Sequence, residues 1–151
     1  MEKVFHFDSP PEVYRADACV ITCLDARFDL VIRKFLKRRG IVVFDHMKIP
    51  GSAKPFATGD GNPDCGFLLR AVRTSMRLHG SRRLVIMAHN DCGAYPGVSA
   101  EVVVADARRA AAFLRVTEPS LEVETYFVDF DGIYRISELA ADNTEEKFAA
   151  L

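Results

Sequence analysis

The chain has 151 residues, 49% of them hydrophobic and 27% charged, and its 20 basic and 21 acidic residues give a formal net charge of −1. That is an ordinary soluble globular composition of about one domain, and it offers no global electrostatic reason to bind nucleic acid or an anionic membrane. Four cysteines are too sparse for a disulfide-stapled secreted scaffold, and a chain this long buries roughly two-thirds of its unfolded surface without staples, so thiol or metal chemistry in a reducing compartment is expected.

The first residues, Met1 to Asp8, carry acids where a secretory leader needs a basic patch and an unbroken apolar stretch. No apolar run approaches the ~20 residues of a membrane span. A cytoplasmic protein with no membrane partner is expected.

Residues 18–24 are continuously apolar and β-branched, which suits a strand buried on both faces at the centre of a parallel sheet. Residues 28–39 follow as a helix with Phe28, Val31, Ile32, Phe35 and Leu36 on one face and Gly40 as its stop. Its cations (Arg33, Lys34, Lys37, Arg38 and Arg39) could suggest nucleic acid, but cations in a last helical turn are favoured by the helix dipole and snorkel over apolar surface. Residues 41–44 form the second expected strand. A second helix starts with Asn62 as cap and Pro63 in its first turn, burying Phe67, Leu68, Ala71, Val72 and Met76 before Gly80. Residues 84–88 form a third strand, and residues 99–115 a third helix with Val102, Val103, Ala110, Phe113 and Leu114 inward. Residues 123–130 alternate as a fourth strand, and Asp131-Gly132 turns it into an antiparallel edge strand at 133–136. Asn143 or Thr144 caps a short C-terminal helix. The expectation is one α/β domain over residues 1–151, with a mostly parallel central sheet of about five strands, an antiparallel edge strand and helices on both faces.

Ligands of such sheets gather at the carboxyl ends of the strands. The first strand ends in Cys23-Leu24-Asp25-Ala26-Arg27, the third in His89-Asn90-Asp91-Cys92-Gly93. Residues two apart in an extended segment share a face, which puts the Cys23 thiol and the Asp25 carboxylate ~6–7 Å apart along the chain. A turn after the strand can fold His89 and Cys92 onto one point. Together Cys23, His89 and Cys92 make a Cys₂His set with a fourth position open, the arrangement in which zinc does chemistry rather than brace a fold. Asp25 can accept a hydrogen bond from a zinc-bound water while Arg27 holds it ionised; alternatively Asp25 takes the fourth position itself and Arg27 is the switch that withdraws it.

These paired motifs, C-x-D-x-R at 23–27 and H-x-x-C-G at 89–93, resemble the β-class carbonic anhydrases over roughly residues 17–95. The resemblance implies a zinc lyase, usually built from dimers, in which metal-bound hydroxide converts carbon dioxide to bicarbonate. By the same resemblance Cys23, His89 and Cys92 are ligands, Asp25 and Arg27 the gating dyad, and Gly93 part of the substrate site. Three departures stand out: Lys48-Ile49-Pro50-Gly51 replaces the family's Arg-Asn-Ala-Gly stretch, Ala88 replaces a glycine before the ligand histidine, and 22 residues before Cys23 leave no room for a dimer-wrapping arm. A related small heterocumulene as substrate and a non-catalytic zinc module are therefore the alternative functions.

Cys19 lies ~13 Å back along the strand from Cys23 and is expected in the core. Cys65, in a first helical turn, packs or carries a reactive thiolate. His46 is exposed or a reserve ligand, His79 tidies a helix end, and His6 sits in a tail. The Gly- and Pro-rich stretch 49–66 reads as a cleft-forming loop; it lacks Walker spacing, and the chain has no G-x-G-x-x-G.

Overall fold

The apolar run after Asp17 lies at the heart of the molecule because neither of its faces could meet water. In the computed structural model, which describes residues 1–137, all five residues of strand β1 (Ala18–Thr22) are buried. Strands β2 (Phe44–Lys48) and β3 (Arg83–His89) pair with it in parallel on either side. Strand β4 (Glu122–Val128) runs parallel to β3, and β5 (Ile133–Arg135) runs antiparallel to β4, giving the order β2-β1-β3-β4-β5. The order reverses between β1 and β3, so the carboxyl ends of those two strands open at the switch point where a ligand cleft belongs. The capped helix expected from Asn143 or Thr144 lies outside the described residues.

Period-two alternation divides the core between the faces. Ala18, Val20, Val85, Met87, Tyr126 and Val128 pack against Phe28, Ile32 and Leu36 of helix α1 (Asp29–Arg38) and the turn before it. Cys19, Ile21, Leu84 and Ile86 face helices α2 (Lys54–Ala57), α3 (Pro63–His79) and α4 (Ala100–Thr117). Helix α3 has the expected ends: the Asn62 side chain accepts the Asp64 N–H at 2.9 Å, and Gly80 closes the helix in the left-handed region at φ 66°. The hairpin is tied by hydrogen bonds between Asp129 and Gly132. Among the described residues no helix is long and apolar enough to cross a membrane.

Two local expectations fail for physical reasons. The second strand begins at Phe44 rather than Ile41, because the Asp17 carboxylate accepts the N–H groups of Val42 and Val43 at 2.9 Å each. Ile41 is buried there while Val42 and Val43 face solvent. Phe67 and Val102 are likewise exposed, since each lies off the buried stripe of its helix, Cys65-Leu68-Val72-Ser75 in α3 and Val103-Ala107-Ala110-Leu114 in α4.

At the amino ends of the strands Glu124 is buried with three partners. It accepts the Tyr126 O–H at 2.5 Å, Arg83 at 2.6 Å and Arg39 at 3.0 Å, so one of the helix cations has an internal use. Burial pushes this carboxyl up, but the Tyr126 hydroxyl and the two guanidinium groups outweigh it and hold Glu124 at about 2. A folded-state value below the unfolded one contributes stability that is present above the ordinary carboxylate range and lost as pH falls toward 2. Glu124→Gln should therefore be less stable than wild type at pH 7 by about 1–3 kcal/mol. The gap should close as thermal unfolding is repeated from pH 5 down to pH 2; a gap independent of pH would contradict this.

Candidate metal centre

Cys23 follows the last residue of β1, His89 ends β3, and Cys92 lies in the turn beyond. Cys23 and Cys92 pack on the α3/α4 side of the sheet, whereas the His89 ring lies 4.9 Å from Phe28 on the α1 side. The three residues thus reach one point from both faces. Their donor atoms all lie within 4.8 Å of one another, and theirs is the one such cluster found among the described residues.

The spacing suits a metal ion. The Cys23 and Cys92 sulfurs are 3.7 Å apart, too far for a disulfide at ~2.05 Å, and no disulfide joins the four cysteines. Two thiolates on a tetrahedral ion with bonds of ~2.3 Å sit ~3.8 Å apart. The His89 Nδ1–H donates to the Asn90 carbonyl at 2.7 Å, which fixes the tautomer and leaves a lone pair on Nε2. That Nε2 is buried without a hydrogen-bond partner, a cost of about 1–3 kcal/mol that ligation would remove.

The loop from His89 to Tyr95 is held from several sides. The Asn90 side chain donates to Asp129 at 3.0 Å, its backbone N–H to the Val128 carbonyl at 2.9 Å, and Asp91 turns the chain at φ 51°. Burial pushes the Cys92 thiol up, opposed by the backbone N–H groups of Ala94 and Gly51 at its sulfur. The loop after β2 meets the Cys92 loop at Gly51. At φ 73°, a conformation glycine adopts without strain, a Cβ on Gly51 would lie 3.2 Å from Ala94 Cβ and 3.3 Å from Tyr95 Cε2.

Asp25 caps a short 3-10 turn, Ala26–Phe28. Its carboxylate accepts the Arg27 backbone N–H at 3.0 Å and the guanidinium through Nε at 2.9 Å and Nη2 at 2.6 Å. These bonds hold the Asp25 carboxyl at about 2. Arg27 also donates to the Asp91 carboxylate at 2.9 Å and carbonyl at 3.1 Å, and it lies against the rings of Phe28 and Phe130. Asp25 is outside the converging donor set. Gly93 is exposed, and a Cβ there would meet nothing within 4 Å.

The remaining sequence candidates are placed elsewhere. His46 is an exposed residue inside β2 whose Nε2 pairs with Thr22 Oγ1 at 2.8 Å, and it is not in the cluster. Cys19 is buried in the core, with its thiol pushed up to about 12 by burial. Cys65 is buried in the same core cluster. His79 pairs with Asp45 at 2.9 Å, and His6 lies in the exposed amino-terminal stretch. Sequence reasoning missed Asp91 and Phe130 as partners of Arg27, although Asp91 stands inside the second motif.

A family model described as "Putative carbonic anhydrase" matches residues 14–137. Among solved structures, a carbonic anhydrase from Glaciozyma antarctica is similar at TM-score 0.60 and 17% identity, over 83% of this chain and 85% of that one. One from Streptococcus mutans gives TM-score 0.60 and 15% identity, over 87% and 89%. An apo carbon disulfide hydrolase gives TM-score 0.53 and 12% identity, over 87% and 88%. Among curated proteins no sequence matches significantly.

Proposed function

The chain belongs to the β-class carbonic anhydrase family, and from that premise we propose that Cys23, His89 and Cys92 hold a zinc ion at which carbon dioxide is reversibly hydrated to bicarbonate. The observation that carries the reading is the convergence of two sulfurs 3.7 Å apart on a buried, unpartnered imidazole nitrogen. When bound, zinc supplies a Lewis acid that makes water a nucleophile near neutral pH. Every other part belongs to the chain. Asp25, kept ionised by Arg27, accepts a hydrogen bond from the attacking water and orients it. Asp91 and the two aromatic rings keep Arg27 in place for that task. Gly93 leaves open space in which a linear triatomic substrate can lie. The proposal extends to residues 1–151 acting as one zinc domain, assembled as a homodimer or higher oligomer in the cytoplasm, as the family resemblance implies.

The test is stopped-flow hydration of carbon dioxide by zinc-loaded protein, with and without a chelator. Chelator-sensitive acceleration is expected. Zinc-loaded protein that is inert from acid to alkaline pH would contradict catalysis and leave a zinc-binding module.

The loop departure favours one second reading. Lys48 is committed to Asp29 at 2.7 Å and Gly51 lies beside Ala94 and Tyr95 of the Cys92 loop, so the substrate edge differs from the family's usual stretch. A carbon–sulfur heterocumulene would then replace carbon dioxide, a chemistry named for one protein of similar fold. Parallel assays with carbon disulfide separate the two substrates.

A further inference from the structure

Behind the three donors lies a buried polar strut that the hydration reading does not use. Tyr95 and Asp106 are 7% and 9% exposed, and the Tyr95 hydroxyl donates to Asp106 Oδ2 at 2.8 Å. The other Asp106 oxygen is held by Arg109. A carboxylate buried inside a helix needs such partners, and this one ties helix α4 to the loop that carries Cys92. Within that loop the Tyr95 backbone N–H donates to the Cys92 carbonyl at 2.8 Å. Lys54 also holds it, donating to the Ala94 carbonyl at 2.5 Å with its ammonium 4.7 Å from the centre of the Tyr95 ring. Gly51 lies beside both Ala94 and Tyr95, where a Cβ would crowd them at 3.2 and 3.3 Å.

We propose that Tyr95, anchored on Asp106, is a positioning residue for metal binding: through its backbone N–H on the Cys92 carbonyl it sets the turn that aims the Cys92 sulfur at the other two donors. The inference rests on reading Cys23, His89 and Cys92 as the zinc ligands. Contacts that fix the orientation of a metal ligand from outside are part of its affinity, and their loss costs about 10–100-fold in metal binding. Tyr95 holds the Cys92 backbone by a hydrogen bond, so its effect is on affinity and geometry at the ligand.

Tyr95→Phe keeps the ring and removes the strut. Zinc affinity, measured by competition with a chromophoric chelator, should fall about 10–100-fold. The sulfur-to-metal charge-transfer band of the cobalt-substituted protein should shift. The control is Tyr126→Phe, which removes another buried hydroxyl from another buried carboxylate, Glu124, on the other face of the sheet. It should lower stability and leave zinc affinity unchanged. Should Tyr95→Phe fail to fold, Asp106→Asn keeps an acceptor for the hydroxyl and should retain affinity, while Asp106→Leu should lose it. Equal affinity in Tyr95→Phe and wild type, or an equal loss in Tyr126→Phe, overturns the inference and leaves the zinc reading standing. Wild-type protein that takes up no zinc overturns both.

Discussion

His89→Ala is expected to reduce zinc from close to one ion per chain to none, with little change in the stability of the metal-free protein. The two effects separate because His89 is poorly served without a metal. Its Nε2 is buried without a partner, so deleting the ring relieves about 1–3 kcal/mol of unmet hydrogen bonding. Against this stand the lost Nδ1–H bond to Asn90 and the contact with Phe28, of similar size. With zinc the balance changes: ligand at a thousandfold excess over its dissociation constant stabilises wild type by about 4 kcal/mol, and the variant by nothing. Thermal unfolding with zinc and with a chelator reads both quantities. A zinc-induced rise in melting temperature that survives in His89→Ala would contradict the ligand assignment. Because the ligands must shed protons to bind, the zinc-dependent rise should also shrink as pH falls.

Asp25→Asn is expected to lower turnover about 10²–10⁴-fold with zinc content unchanged, the range over which a positioned acid–base group acts. The carboxylate is committed to Arg27 by backbone and guanidinium bonds and is held at about 2, so it is ionised throughout the neutral and mildly acid range. Its pairing contributes stability above the ordinary carboxylate range, lost as pH falls toward 2. Acid inactivation near neutrality therefore cannot come from Asp25 in wild type. In Arg27→Ala the carboxyl returns toward the ordinary range, and the acid limb of a pH–rate profile gains a contribution at higher pH. Turnover of Asp25→Asn equal to wild type at matched zinc loading would remove Asp25 from the reaction.

The centre of the fold was readable because its chemistry is local. A run such as Val20-Ile21 admits no polar face, Asn62-Pro63 and Gly80 mark helix ends by their own backbone preferences, and both clusters of site residues end adjacent buried strands. What the sequence concealed depends on contacts between distant residues. Asp17 takes the N–H groups of Val42 and Val43 from 25 and 26 residues away and so delays β2, against the β propensity of those valines. Arg27 meets Asp91 across 64 residues, and nothing in either motif marks that ion pair. Tyr95 and Asp106 are only 11 residues apart, yet Asp106 reads as an ordinary polar residue of a helix until the Cys92 loop is seen against α4. Gly51 stands in a stretch that departs from a family pattern, and only the structure shows that its φ of 73° and its place beside Ala94 and Tyr95 favour glycine there.

The crystal structure of the zinc-loaded protein tests the central claim most directly. It should contain one zinc per chain bound by Cys23 Sγ, His89 Nε2 and Cys92 Sγ, with metal–sulfur bonds of ~2.3 Å, a water in the fourth position and Asp25 still paired with Arg27. A crystal grown in excess zinc with no metal between these three side chains, or with Asp25 as the fourth ligand, would contradict it.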